Sequence, residues 1–179
     1  MSVAIYVLGE ALMDCVAQPD GSLHPYMGGS PFNLARAAAL RGAQVHFLNP
    51  FSTDRFGAQM VAQLTHDTVQ CTLPSSRLPT SLAVVQVTDG QPSYGFYREG
   101  IADRDYTVSQ VLEALHQVPP GVLHTGSLML IPPEHHKVLA LLQGAKALGW
   151  TISVDVNLRP QLAEDLDAYL AAVHAVAAL

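Results

Sequence analysis

The sequence predicts an α/β fold of three layers, with helices on both faces of a mainly parallel sheet and a small separate β-sheet beside it. Short apolar runs (Val3 to Leu8, Gln44 to Leu48, Val122 to Thr125, Ile152 to Val156) alternate with helical stretches, as in a parallel sheet covered on both faces. The first run is continuous and rich in β-branched residues, as expected of a strand with no solvent face. Two hairpin-like segments, 15–27 and 82–98, break the alternation and are expected to pair with each other.

The elements follow in order. Gly9 closes the first strand. Cys15 to Met27 carries Pro19-Asp20-Gly21-Ser22 as a turn in its middle, which reads as a hairpin outside the main core. Ser30 is expected as the N-cap of a helix with Pro31 at its first position. The apolar face of this helix is expected to run through Leu34, Ala37, Ala38 and Leu40, with Gly42 ending it. A second helix spans about Asp54 to His66, and residues 67–81 read as irregular. Leu82 to Thr88 and Ser93 to Arg98 flank Asp89-Gly90, a strong hairpin signal. Helices over 108–118, 134–148 and 164–179 complete the pattern. The α/β core is thus assigned residues 1–14, 28–81 and 99–179, and the second sheet, a candidate lid, residues 15–27 and 82–98.

Composition removes several classes of function. Only 13% of the 179 residues are charged, against about 25% in an ordinary domain. This points to surface that another segment covers. The net charge is −6 and no Lys/Arg run occurs, which excludes a nucleic-acid footprint. No apolar run reaches the roughly 18 residues of a membrane span, and the opening lacks a signal-peptide pattern. Cys15 and Cys71 have neither metal-ligand nor disulfide spacing, so a reduced, cytoplasmic protein is expected. The chain stops inside a helix, at Ala175-Val176-Ala177-Ala178-Leu179, and truncation is expected.

In open α/β sheets ligands bind beyond the carboxyl ends of the strands, and three polar groups lie there. Asp14 is suited to accept from two hydroxyls, although taken alone a helix cap or turn former is the favoured reading. Gly28-Gly29 permits positive φ and close approach of backbone to ligand, and Asn33 lies one turn into the helix that follows. Asp155-Val156-Asn157-Leu158-Arg159, if extended, would turn carboxylate, amide and guanidinium to one side, and the guanidinium fork suits phosphate oxygens. The plain alternative is a surface ion pair between Asp155 and Arg159. His135-His136 reads as a solvated helix start, not a metal site. Tyr94, Phe96 and Tyr97 are expected to pack within their hairpin.

Together these segments resemble the PfkB family of carbohydrate kinases, and within it the fructokinases. Gly28 to Ala35, Gly42, and Ser52-Thr53-Asp54-Arg55-Phe56-Gly57 look like the family's first signature. Gly9 to Asp14 matches its first strand and substrate aspartate. Phe96 to Asp103, His124-Thr125-Gly126-Ser127 and Asp155 to Pro160 are similar to fructokinase segments. The resemblance runs the length of the chain. It departs at Asn49 and Ser52, where glycines are usual. The family's second signature, a Gly-Ala-Gly-Asp type segment carrying the catalytic base, occurs nowhere in these residues.

The resemblance implies a ribokinase-like fold with its C-terminal part missing, and transfer of the ATP γ-phosphoryl group to a primary sugar hydroxyl. Asp14, Gly28, Gly29 and Asn33 would hold the sugar, and Tyr97 and Arg98 would close over it. Asn157 and Arg159 would face the phosphate oxygens, Arg159 as the one catalytic residue present, and Mg²⁺ would travel with ATP. Fructose is the leading substrate. Kinases of 2-keto-3-deoxygluconate, ribose or ribosides remain open, as does a non-catalytic sugar-binding fragment, the reading that taking the 179 residues literally suggests. A dinucleotide-binding domain does not fit, because Gly28-Gly29 lacks the G-x-G-x-x-G spacing. No nucleic-acid or membrane partner is implied, and the free edges of a lid sheet are expected to pair with a second copy.

Overall fold

The computed structural model describes residues 3–88 and 91–179. The main sheet is formed by β1 (Ile5–Val7), β4 (Val45–Phe47), β5 (Gln70–Cys71), β8 (Val122–Gly126) and β9 (Thr151–Asp155), in the order β5-β4-β1-β8-β9. All its pairings are parallel. Helices α1 (Ser30–Leu40) and α2 (Arg55–His66) cover one face, and α3 (Val108–His116), α4 (His135–Ala147) and α5 (Leu166–Ala177) the other. Alternation along β1 explains the two layers: Tyr6 and Leu8 join one core with α3, α4 and α5, whereas Val7 joins the other with α1 and α2. In the first core Trp150 meets Tyr6 edge-on at 4.9 Å.

The two hairpins do combine into one sheet. β2 (Leu12–Ala17) pairs antiparallel with β3 (Leu23–Gly28), β6 (Ser81–Thr88) antiparallel with β7 (Gln91–Tyr97), and β2 parallel with β6, in the order β3-β2-β6-β7. The first hairpin begins at Leu12, three residues earlier than expected, which places Asp14 within a strand of this second sheet. The Asp89-Gly90 turn lies outside the described residues.

Three local expectations are corrected. Of the expected face, Leu34 and Ala38 pack partly buried against the core, but Ala37 is exposed and Leu40 is 67% exposed, and the residues α1 buries most fully are Phe32, Ala35 and Ala39. The cause is Phe32, which is fully buried edge-on against Phe47 and Phe51 and sets the rotation of the helix; burying such a ring stabilises by about 1.5–3 kcal/mol. Ser30 is the first helical residue and not the cap. Gly29 precedes it with φ 105° and no side-chain cap bond, and the Ser30 amide is taken up by the Glu10 Oε1 at 3.3 Å. Within 67–81, expected to be irregular, Gln70–Cys71 adds a short edge strand to β4.

The loop after β4 shows why Asn49 can stand where a glycine was expected. Its Oδ1 accepts from Gly9 N at 2.6 Å, and its Nδ2 donates to Asp103 O at 2.8 Å. One buried amide thus ties the end of β1 to the segment that follows β7.

Candidate functional site

A cavity of about 600 Å³ opens at the carboxyl end of the main sheet, between it and the second sheet. Its walls come from five places in the chain: Glu10, Leu12 and Asp14 from the exit of β1 and from β2, Gly29, Ser30 and Asn33 from the start of α1, Tyr94 and Phe96 from β7, Ser127 and Leu128 after β8, and Leu158, Arg159 and Gln161 after β9. Of the sequence candidates, Asp14, Gly29, Asn33 and Arg159 line it. Gly28, Tyr97, Arg98 and Asn157 do not.

Asp14 stands half-buried on β2, and burial pushes its carboxyl above the ordinary range. Gly28 pairs across the sheet near it, and a side chain at position 28 would run into the Asp14 Oδ2. Gly28 therefore acts by leaving space for the carboxylate. Gly29 has the left-handed backbone glycine tolerates, and a Cβ there would collide with the Glu10 carbonyl. The sharp entry into α1 brings Asn33, exposed on the first turn, to the cavity beside Asp14.

Glu10 was not singled out in the sequence, yet it is 1% exposed and forms part of the cavity floor. Burial pushes its carboxyl up to about 7, opposed by the Ser127 hydroxyl, its own backbone amide and the Arg98 guanidinium. The signal available was its position, a carboxylate three residues beyond the largely buried β1.

The segment after β9 is not extended. The strand stops at Asp155, and Asn157 takes a left-handed conformation with φ 39°. The alternate projection of Asp155, Asn157 and Arg159 is therefore lost, and so is the Asp155–Arg159 ion pair. Instead the Arg159 Nη1 donates to the Asn157 Oδ1 at 2.5 Å and to the Asn157 O at 3.0 Å. The Arg159 amide donates to the hydroxyl of the fully buried Tyr169 at 3.3 Å. Ser127, also left-handed with φ 53°, accepts from Asn157 Nδ2 at 3.4 Å. Non-glycine residues in this region cost about 1–3 kcal/mol each and concentrate at functional sites. Two of them meet here, at the ends of adjacent strands.

Alternation along β7 turns Tyr94 and Phe96 to the cavity, their rings stacked at 5.8 Å, while Tyr97 faces away and is 65% exposed. The pair packs within the hairpin as expected and walls the cavity as well. Arg98 is buried beneath the cavity, with Nη1 donating to Leu128 O at 3.4 Å. Chemically the cavity offers carboxylate and amide acceptors, an aromatic wall and one guanidinium at its edge, an arrangement suited to a polyhydroxylated ligand meeting an anionic group.

A model of the pfkB family of carbohydrate kinases matches residues 4–179. A fructokinase from Rhizobium leguminosarum bv. trifolii is 29% identical over 97% of the chain and 54% of its own length. A 5-dehydro-2-deoxygluconokinase from Clostridium perfringens is 27% identical over 77% of the chain and 42% of its own length. The crystal structure of a fructokinase from Xylella fastidiosa with bound ATP superposes with a TM-score of 0.81 at 27% identity, covering 95% of this chain and 58% of that one. The chain thus spans about half the length of the curated relatives it matches.

Proposed function

The chain belongs to the pfkB family of carbohydrate kinases, and from that premise we propose that its cavity is the sugar site of an ATP-dependent kinase acting on a neutral keto-sugar, with fructose the leading substrate. The observation that carries the reading is the convergence of Asp14, Asn33 and the Tyr94 and Phe96 wall on one cavity, Asp14 and Phe96 lying in one cross-strand row of the second sheet. A carboxylate and an amide serve as acceptors for sugar hydroxyls, and aromatic rings cover the apolar C–H face of the ring. The Asp14 carboxylate lines the cavity and disfavours a ligand that carries its own carboxylate.

In this reading Asp14, Asn33 and the Gly29 backbone hold the sugar, and Gly28 leaves room for Asp14. Arg159, set by Asn157, meets the phosphoryl group as charge redistributes during transfer. ATP and Mg²⁺ are the co-substrates. The ion would be held mostly by nucleotide phosphates and water. Further parts of the proposal are lid behaviour of the second sheet and pairing of two copies through its β3 or β7 edge. Among the described residues no helix is long and apolar enough to cross a membrane.

A second reading, a kinase of a sugar acid, is favoured by the likeness to the 5-dehydro-2-deoxygluconokinase. Calorimetric titration of the intact protein with fructose, ribose, 2-keto-3-deoxygluconate and 5-dehydro-2-deoxygluconate, paired with ATP-dependent turnover of each, separates the two. Tighter binding and faster turnover of fructose are expected. Preference for either acid would overturn the neutral-sugar reading.

A further inference from the structure

Ser127 lines the cavity although it is only 3% exposed. The backbone around it explains the placement. Gly126, the last residue of β8, pairs with Asp155, the last of β9. A Cβ at Gly126 would collide with the Asp155 carbonyl, so the two strand ends approach as closely as glycine alone permits. The chain then turns through Ser127 at φ 53°, and two residues beyond β9 it turns through Asn157 at φ 39°. The two turns bring the side chains together, and Asn157 Nδ2 donates to the Ser127 Oγ at 3.4 Å.

That bond decides which way the Asn157 amide faces. An asparagine side chain has an acceptor at one end and two donors at the other. Here the acceptor takes the Arg159 Nη1 at 2.5 Å, and the donor end is turned to Ser127. The reversed amide would set its NH₂ group against the guanidinium, donor against donor. Ser127 supplies the acceptor that makes only the first orientation satisfied at both ends. The consequence reaches Arg159. Among the described residues its side chain donates from Nη1 alone, to Asn157 Oδ1, Asn157 O and Leu158 O. Nε and Nη2 make no such bond and are left for a ligand at the cavity edge.

We propose that Ser127 is a positioning residue for Arg159: its hydroxyl fixes the Asn157 amide, which holds one nitrogen of the guanidinium so that the others face the phosphoryl group in transfer. The kinetic consequence rests on the reading of the cavity as the sugar site of a kinase, whereas the tie between Ser127 and Asn157 rests on geometry alone. Without the hydroxyl the amide can turn and the guanidinium loosens. An interaction made only in the transition state is then weakened, which lowers kcat and spares sugar binding.

The experiment compares Ser127→Ala, Ser127→Gly, Asn157→Ala and the combination of Ser127→Gly with Asn157→Ala in the intact enzyme, by steady-state kinetics and thermal midpoint. Glycine adopts a left-handed backbone without strain, so Ser127→Gly removes the hydroxyl and keeps the turn. Both serine variants are expected to lose roughly two- to tenfold in kcat, the worth of one neutral hydrogen bond, with the sugar KM held. The double variant is expected to be no slower than Asn157→Ala, because Ser127 acts through Asn157. If Ser127→Ala does not fold, the glycine variant decides alone. Full kcat in Ser127→Gly would leave Ser127 a backbone role only, and a raised KM with kcat kept would make it a sugar contact. Either result overturns the proposal, as do losses that multiply in the double variant. If the wild-type enzyme phosphorylates no sugar, the kinase reading fails and the midpoints decide what remains: coupled midpoints support the tie between Ser127 and Asn157, and strictly additive ones overturn it.

Discussion

Arg159 is held by Asn157 through two bonds from the same guanidinium nitrogen, one to the side-chain oxygen at 2.5 Å and one to the main-chain oxygen at 3.0 Å. Asn157 itself has a left-handed backbone, with φ 39°. If Arg159 meets charge that develops only during transfer, Arg159→Ala should lower kcat far more than it raises the sugar KM. Asn157→Ala should act in the same direction and more weakly. Steady-state kinetics of the intact enzyme check both. A large KM change with kcat preserved would move Arg159 into the sugar site.

Asp14→Ala in the intact protein should weaken sugar binding at least a hundredfold. It removes two acceptors, and a charged hydrogen bond is worth about 1.5–3 kcal/mol. Calorimetry showing unchanged fructose affinity would remove Asp14 from the site.

Asp54 offers a test of the fold apart from function. Its Oδ1 caps α2 by accepting from Gly57 N at 2.8 Å and also takes the Thr80 hydroxyl at 2.7 Å, while its Oδ2 accepts from Thr80 N at 2.8 Å. These bonds hold its carboxyl below the usual range against the opposing effect of burial. Asp54→Ala should cost about 2–3 kcal/mol, combining a lost cap with a lost tie to the segment before β6. Denaturant unfolding measures it, and Asp54→Asn should recover part of the loss.

Glu10 gives a pH dependence of definite sign. Its carboxyl is raised from 4.5 to about 7, so between those values the folded protein holds a proton that the unfolded chain has released. Its contribution to stability is full below about 4.5 and is lost as pH rises through about 7. Burial sets this, with Asp103 adding to it and Ser127, the Glu10 backbone amide and Arg98 opposing it. Glu10→Gln does not ionise, so its thermal midpoint should gain on the wild type as pH rises from about 5 to 8. Parallel midpoint curves would remove Glu10 as the titrating group.

Residues 1–179 by themselves should show no ATP-dependent phosphorylation of any sugar. The general base that the family resemblance implies belongs to a Gly-Ala-Gly-Asp type segment absent from them, and loss of a general base costs about 10²–10⁴-fold. A purified fragment converting fructose and ATP to products, with host kinase excluded, would contradict this.

The strands and helices of the core were legible because continuous apolar runs and 3.6-residue periods report burial directly. Asp14, Gly29, Asn33 and Arg159 were legible because strand ends and glycine turns mark where a cavity can open. What escaped depended on contacts distant in sequence. The rotation of α1 follows from Phe32 meeting Phe47 and Phe51, and the burial of Glu10 follows from packing against α1. Period-two alternation in Tyr94-Gly95-Phe96-Tyr97 would have turned Tyr94 and Phe96, not Tyr97, toward the cavity. The bend at Asn157 carried no sequence signal, since asparagine is one of several residues that tolerate a left-handed backbone.

Trp150 is the one tryptophan of the sequence. It sits at the head of β9, edge-on to Tyr6 and 3% exposed, whereas the cavity lies beyond the tails of the strands. Its ultraviolet emission is therefore a single-site optical gauge of whether the core is assembled, blue-shifted in the fold and red-shifted once water reaches the indole. Sugar arriving at the far end should leave that colour alone, so a ligand titration and an unfolding curve can be read from one cuvette without confusing the two.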